Sequence, residues 1–271
     1  MSYTIQTEKK LTLSEIQHIS ESNSKLILSD KVKQDILKCR DYLDKKMASQ
    51  KTPIYGINTG FGSLCNVIIP DNELEQLQEN LVKSHACGMG EEVPLEIVRL
   101  MLLLKIQSLS YGKSAVQLQT VERLVDFYNH NIYPIVYTQG SLGASGDLSP
   151  LAHLSLPLLG MGEVNYQGNK CNALDVLNQL GLKPITLKSK EGLALLNGTQ
   201  FMAAYGVWCL LKSNKLNTLA DVIASISLDA FDGRHEPFKD NIHIIRPHKG
   251  QLQTARAILK NLEGSEILSQ T

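Results

Sequence analysis

Residues 140–152 are Gly-Ser-Leu-Gly-Ala-Ser-Gly-Asp-Leu-Ser-Pro-Leu-Ala, and this stretch decides the interpretation of the whole chain. Its glycines recur at three-residue spacing, and the residues from Leu148 onward have the pattern of a helix start. A glycine-rich loop that enters a helix can hold an anion, because backbone N–H groups and the helix dipole converge there. A phosphate-binding loop is disfavoured here, since Asp147 would repel a phosphate and no lysine follows the last glycine.

The triplet Ala144-Ser145-Gly146 supports a different hypothesis. Gly146 has no side chain, so its backbone can bend tightly enough for its nitrogen to attack the carbonyl carbon of Ala144 and close a five-membered ring. Loss of water from the ring and from the Ser145 hydroxyl would leave an exocyclic methylene conjugated to the ring carbonyl. That group is a strong electrophile of a kind that no ordinary side chain provides. The triplet is common by chance, so the hypothesis depends on its surroundings.

The surroundings resemble the signature of the aromatic amino acid lyase family over all of residues 140–152. The resemblance also covers residues 55–62 and 197–200, and it extends over essentially the whole chain. It implies a 4-methylidene-imidazol-5-one formed autocatalytically from Ala144, Ser145 and Gly146, with no external cofactor. It further implies that Asp147 helps the ring to form or holds it. An N-cap for the helix that follows is the alternative role for this aspartate.

The resemblance implies a reaction in which ammonia is eliminated from an α-amino acid to give an unsaturated acid. Attachment of the substrate amine to the methylene at residue 145 makes the amine a better leaving group. A positioned base must then remove the weakly acidic β-hydrogen. Tyr55 opens the loop of residues 55–62 and is the predicted base, which requires a pKa below the ordinary tyrosine value of about 10. Converging helix N-termini would lower it, whereas packing is the alternative role for this tyrosine.

Two side chains are predicted to contact the substrate. His85 follows Ser84, as in family members that act on histidine, and it can hydrogen-bond the buried polar edge of an imidazole or a phenol. Asn58 favours histidine further, because members that act on phenylalanine often have threonine there. Asn197, expected inside an apolar helix, is predicted to contact the ring or the substrate amino acid group. The predicted catalytic residues are therefore Tyr55, Ser145 and Asn197.

The same positions permit roles without catalysis. His85 could be a satisfied buried histidine or one on a helix surface, and Asn197 could serve as a helix cap or make an internal hydrogen bond. His153 is expected either to hold residues of the site in place without contacting the substrate or to have a packing role only. The resemblance favours the functional roles of His85 and Asn197.

L-Histidine is the predicted substrate, with trans-urocanate and ammonia as the products of a first step of histidine breakdown. A tyrosine ammonia-lyase or aminomutase is the alternative, since such enzymes can also use a histidine at the position of His85. The chain ends at Thr271, whereas family members continue with a loop that carries a tyrosine and an arginine and with a long helical domain. The resemblance implies a homotetramer whose active sites are built from three subunits. A truncated non-catalytic remnant that binds a partner is the third hypothesis.

Composition excludes several other classes of protein. The 271 residues are 43% hydrophobic and 20% charged with a net charge of zero, which gives no electrostatic reason to expect nucleic acid or an anionic membrane as partner. The residues after Met1 do not resemble a signal peptide, and the apolar cluster at residues 100–104 is too short to cross a bilayer. Five scattered cysteines form no C-x-x-C pair, so we expect neither a metal site nor a disulfide framework. Free cysteines are typical of a reducing compartment, so we expect a cytoplasmic location.

The hydrophobic pattern predicts a mainly α-helical fold with a small β component. A capping box begins at Thr12, and a β-hairpin is predicted at residues 163–170. Further helices are predicted near residues 30–49, 74–81, 94–109, 116–128, 191–230 and 251–262. No linker divides the chain. We therefore expect residues 1–271 to form a single N-terminal lyase domain, with the cofactor-forming loop at residues 140–150 and the C-terminal helical half of the family missing.

Overall fold

Helices dominate the computed structural model, which describes residues 1–49 and 52–270. The chain divides into two compact units, Met1–Val207 and Trp208–Thr271, and the boundary lies within one long helix. The mainly α-helical prediction is confirmed. The prediction of a single domain stays a prediction, because compact units within one chain need not be separate domains.

The first unit alternates helices with short strands. In chain order these are β1 (Ser2–Ile5), α1 (Leu13–Glu21), β2 (Lys25–Leu28), α2 (Asp30–Ser49), α3 (Leu74–His85), β3 (Met89–Glu92), α4 (Leu95–Ser110), α5 (Leu118–Asn129), β4 (Tyr133–Pro134), β5 (Tyr137–Gln139), α6 (Leu148–Ser155), β6 (Glu163–Tyr166), β7 (Asn169–Asn172), α7 (Ala173–Gln179) and α8 (Glu191–Leu196). The long helix α9 (Gln200–Ala230) follows, and then come α10 (Asp240–His243), α11 (Lys249–Asn261) and α12 (Glu266–Gln270).

Local signals account for several of these helices. The capping box is confirmed, because the Thr12 hydroxyl accepts from the Glu15 N–H at 3.3 Å and the Thr12 N–H donates to the Glu15 carboxylate at 2.8 Å. The helix predicted near residues 94–109 is α4, which packs against α2 and α5 and is buried along most of its length. Its largest buried side chains are Ile97, Met101, Leu102, Leu103, Lys105 and Ile106.

The predicted helix over residues 191–230 is wrong in one respect, because it is broken into α8 and α9 by residues 197–199. Asn197 therefore caps the C-terminus of α8 and does not lie inside a helix. Its backbone ψ of 96° is extended, and its side-chain amide donates to the Leu193 carbonyl at 3.2 Å. An asparagine that satisfies a helix-end carbonyl, followed by a glycine, is an effective stop signal.

Three small sheets join the helices of the first unit. β1 pairs in parallel with β2, β3 pairs antiparallel with β5, and β4, β6 and β7 form an antiparallel sheet. The predicted hairpin is confirmed as β6 and β7, joined through Gln167 and Gly168, which both have positive φ as a type I′ turn requires. The β3–β5 pair matters most for the site, because it ties the segment after His85 to the strand before residue 140.

The second unit is helical. Within it, Asn261 on α11 donates to the Ser225 hydroxyl at 3.2 Å, and Arg256 pairs with Asp240 at 2.7 Å. Along α9 the side chains of Leu216, Leu219, Ile223 and Ile226 are all more than half exposed, and their spacing places them on one face. Within the described residues, no helix combines the length and the apolar character that crossing a membrane requires.

Candidate active site

The Ala144-Ser145-Gly146 triplet lies on an exposed loop that faces the break between α8 and α9. The Ser145 hydroxyl donates a hydrogen bond to the Asn197 carboxamide oxygen at 2.9 Å. Gly146 has a φ of +99°, and a Cβ added to it would lie 2.6 Å from the Gly198 oxygen and 2.8 Å from the Gly198 nitrogen. The structure thus brings Ser145 and Asn197 together, and it places Gly146 where only glycine fits.

Asp147 connects the loop to both helices that begin beside it. Its backbone N–H donates to the Gly198 carbonyl at 2.7 Å. Its carboxylate accepts from the Met202 N–H in the first turn of α9 at 3.0 Å and from the Ser141 hydroxyl at 3.2 Å. Asp147 stands at the N-cap position of α6, but its side chain does not cap that helix. The buried carboxylate instead occupies the positive end of α9, which argues further against a phosphate there.

The loop that carries Tyr55 is held by its own side chains. Asn58 is buried and accepts from the Ile54 N–H at 2.6 Å while donating to the Thr52 carbonyl at 3.1 Å. Both polar atoms of Asn58 thus serve the loop, so its value as an indicator of substrate is not supported by its contacts. The Tyr55 side chain is 55% exposed, with its ring edge-on to Phe61 at a centroid distance of 6.2 Å.

Tyr55 and Asn197 are linked through helix α8. Gly56, the residue after Tyr55, has a φ of +71°, and a Cβ added there would lie 2.6 Å from the Leu193 Cδ2 atom. Leu193 is also the residue whose carbonyl holds the Asn197 side chain. The Tyr55 loop therefore packs directly on the short helix that presents Asn197 to Ser145.

His85 lies on a helix that packs against the helices beside the loop. It is the last residue of α3, and α3, α6 and α8 pack against one another. Its Nδ1 atom lies 2.8 Å from the Leu81 carbonyl and 3.2 Å from the Ser84 hydroxyl, so its described contacts are within its own helix. The helix ends nevertheless place His85, Asp147 and Asn197 on three mutually packed elements.

His153 supports the segment after His85. Its Nε2 atom accepts from the Gly88 N–H at 2.9 Å, and its ring packs edge-on against Tyr137 at a centroid distance of 5.1 Å. Burial lowers the pKa of His153, because a charged imidazole loses solvation there. An accepting Nε2 also requires the neutral ring. The expected supporting role of His153 agrees with these contacts.

We expect His153 to make the stability of the chain depend on pH. Its folded pKa lies below the unfolded value of about 6.5, so the unfolded state takes up the proton first as the pH falls. The unfolding free energy should therefore decrease as the pH falls below about 6.5 and should be insensitive to His153 above that value. Urea unfolding from about pH 8 to about pH 5 would measure this.

The control is His153→Gln, whose amide oxygen can still accept from the Gly88 N–H but does not titrate. As the pH falls, the unfolding free energy of the wild type should decrease relative to that of this variant. If the difference stays constant across the range, the described environment of His153 does not control its protonation.

Sequence reasoning missed two residues behind the site. Lys105 directly follows the apolar cluster at residues 100–104, yet its side chain is buried and donates to the Ala194 carbonyl at 2.9 Å. Gln200 closes the stretch of residues 197–200, and its carboxamide lies against Gly198. A lysine in a helix that is apolar nearly all round is a signal that could have been used, because its amine must find buried acceptors.

The residues around the triplet are compatible with the methylidene-imidazolone that the resemblance implies for residues 144–146. Gly146 is cradled by Gly198 so closely that a side chain is excluded, and the Ser145 hydroxyl is exposed. Over the stretch from residue 1 to 49 and from 52 to 270, no cluster of three or more histidine, cysteine, aspartate or glutamate side chains could hold a metal ion.

The helical fold thus brings Ser145 of the triplet to Asn197, and the loop of Tyr55 packs on the helix that ends at Asn197. The chain belongs to the aromatic amino acid lyase family, whose profile matches residues 11–271. One relative, histidine ammonia-lyase 2 of Fusobacterium nucleatum, is 45% identical over 256 residues, which is 94% of this chain and 50% of that protein. The chain thus spans about half the length of the curated relatives it matches.

Solved structures of the family have the same fold. Histidine ammonia-lyase from Trypanosoma cruzi matches with a TM-score of 0.84 and 38% identity, over 92% of this chain and 48% of that one. Tyrosine aminomutase from Streptomyces globisporus matches with a TM-score of 0.91 and 30% identity, over 97% of this chain and 49% of that one. The predicted family and fold are therefore confirmed.

Proposed function

We propose that this chain carries the cofactor-forming part of a histidine ammonia-lyase, which eliminates ammonia from L-histidine to give trans-urocanate. The observation that carries the proposal is the meeting of Ser145 with Asn197 where Gly146 lies against Gly198. The substrate assignment is supported by relatives named histidine ammonia-lyase at 39–45% identity and by His85.

Ring formation needs only atoms of the chain. The Gly146 nitrogen attacks the Ala144 carbonyl carbon, and the carbonyl oxygen leaves as water with the amide hydrogens of Gly146 and Ser145. The Ser145 hydroxyl then leaves with the Ser145 α-hydrogen as a second water. The resulting methylidene-imidazolone would supply an electrophilic carbon for the substrate amine. The positive φ of Gly146 and its contact with Gly198 favour the tight bend that this attack requires.

The surrounding side chains have separate roles in this proposal. Tyr55 takes the β-hydrogen as general base, which its exposed position on an ordered loop supports. Asn197 is oriented by its bond to Leu193 and contacts residue 145 or the amino acid group of the substrate. Asp147 holds the loop against α9, and His85 hydrogen-bonds the imidazole of the substrate.

We also propose that the protein works as a homo-oligomer. The apolar face of α9 formed by Leu216, Leu219, Ile223 and Ile226 is more exposed than a stable monomer surface favours. Their spacing of three and four residues is typical of a helix that packs against another helix. Sedimentation of the chain at increasing concentration would reveal association, and a monomer throughout would contradict this proposal.

A tyrosine ammonia-lyase or aminomutase is the second candidate. The match to a tyrosine aminomutase with a TM-score of 0.91 favours it, as does the ability of His85 to hydrogen-bond a phenol. The test is peptide mapping of residues 140–152 for loss of two waters, followed by incubation with L-histidine or L-tyrosine. Urocanate supports the first candidate, and coumarate or β-tyrosine supports the second. An unmodified triplet contradicts both for this chain.

A further inference from the structure

Lys105 has a buried amine that takes no part in the chemistry described above. The residue lies on α4, its side chain is almost completely inaccessible, and burial lowers its pKa to about 7. A buried amine destabilises a fold unless it is hydrogen-bonded, so its partners show what holds it in place.

Those partners stand on either side of the break between α8 and α9. The Lys105 Nζ atom donates to the Ala194 carbonyl of α8 at 2.9 Å and to the Gln200 Oε1 atom, at the first residue of α9, at 3.5 Å. One amine therefore connects the C-terminal part of one helix to the N-terminus of the next. The intervening residues 197–199 must follow the path that these two ends allow.

The connection continues from Gln200 to the ring-forming loop. The Gln200 carboxamide lies against Gly198 so closely that a Cβ on Gly198 would collide with the Oε1 atom. On its other side, Gly198 accepts the Asp147 N–H at 2.7 Å and packs against Gly146. Gly198 thus lies between the Gln200 side chain, which Lys105 binds, and the backbone of Gly146 and Asp147.

We propose that Lys105 is a positioning residue for ring formation, which holds the 197–200 turn so that Gly198 presses on Gly146 and receives the Asp147 N–H. This inference rests on the proposed function, because ring closure is the step that the positioning serves. Lys105 acts through Gln200 and the Ala194 carbonyl, to which its amine is hydrogen-bonded. The amine carries N–H donors for both bonds whether it is protonated or neutral, so the connection does not depend on its charge.

The primary test is amide hydrogen exchange in the 271-residue chain with Lys105→Met. The Asp147 and Met202 amides report directly on the contact between the loop and the turn. We expect both to exchange about tenfold faster or more in the variant, since the turn loses the hydrogen bonds that hold both of its ends. Lys105→Arg, which keeps an N–H donor, should restore at least part of the protection.

Leu102→Ala is the matched control, because Leu102 is a fully buried residue of the same helix. It should lower the overall unfolding free energy without selectively exposing the Asp147 and Met202 amides. Gln200→Met supplies a second variant if Lys105→Met does not fold, since it removes one acceptor and leaves the Ala194 bond intact. It should expose the same two amides.

The inference is overturned if Lys105→Met or Gln200→Met raises exchange at these amides no more than Leu102→Ala does, relative to the change in overall stability. Ring closure at the wild-type rate in Lys105→Met would also overturn it. The exchange measurement does not need a closed ring. A wild-type chain that loses no water therefore contradicts the proposed function, while the exchange result decides the role of Lys105 separately.

Discussion

Ser145→Ala should eliminate the loss of two waters from residues 140–152. In the proposed ring formation the Ser145 hydroxyl leaves as the second water and the Ser145 Cβ becomes the methylene carbon, so alanine, which has no hydroxyl to lose, cannot form the electrophile. The fold should survive, because the lost interaction is one exposed hydrogen bond to Asn197, which contributes about 1 kcal/mol. The intact mass and a peptide map across the loop would measure the effect.

The matched control is Ser155→Ala. This serine lies on α6, downstream of the same loop, and its hydroxyl bonds the Leu151 carbonyl within the helix at 2.7 Å. The control should keep the full two-water loss. Two-water loss that persists in Ser145→Ala would show that another residue is the source, and an unmodified wild-type chain would contradict cofactor formation altogether.

Sequence patterns were sufficient for elements whose causes are local. The helix from Leu13 follows from a capping box, and α4 follows from an apolar run that begins after Pro94. The hairpin follows from a turn whose glycine accepts positive φ. Paired strands such as β3 and β5 were not predicted, because a short strand is stabilised by a partner far away in the chain.

The helix break at Asn197 shows where local patterns fail. Residues 191–230 are apolar enough for one continuous helix, and a single asparagine is tolerated in many helices. What ends α8 is the bond from the Asn197 side chain to Leu193 together with the contact of Gly198 with Gly146. The second of these depends on tertiary structure, so the pattern alone could not locate the break.

The site was predicted from the resemblance of its loops to the family. The buried residue that holds the turn at residues 197–200 was not predicted. Residues 140–152 identified the triplet, and Ser145 does meet the predicted Asn197. Tyr55 and His85 lie on elements that pack around the site, and their catalytic roles stay predictions. Lys105 was missed because its importance comes from contacts with residues 89 and 95 positions further along the chain.

Gly146→Ala should prevent ring closure and destabilise the first unit. An alanine with positive φ costs about 1–2 kcal/mol, and overpacking costs about 1–3 kcal/mol more. Here the added Cβ would meet the Gly198 oxygen at 2.6 Å and the Gly198 nitrogen at 2.8 Å. Both obstacles are backbone atoms, so no side chain can rotate away. We expect a loss of about 2–5 kcal/mol in the unfolding free energy and no two-water loss.

Gly143→Ala separates backbone strain from the contact with Gly198. Gly143 lies in the same loop with a φ of +69°, and a Cβ added there would have no atom within 4 Å. It should therefore cost only the strain of about 1–2 kcal/mol and leave ring closure nearly intact. Urea unfolding and peptide mapping of both variants would measure the difference. Equal effects of the two substitutions would mean that positive φ alone matters and that Gly198 does not shape the triplet. A selective loss at Gly146 would instead assign ring formation to the close approach of these two backbone segments.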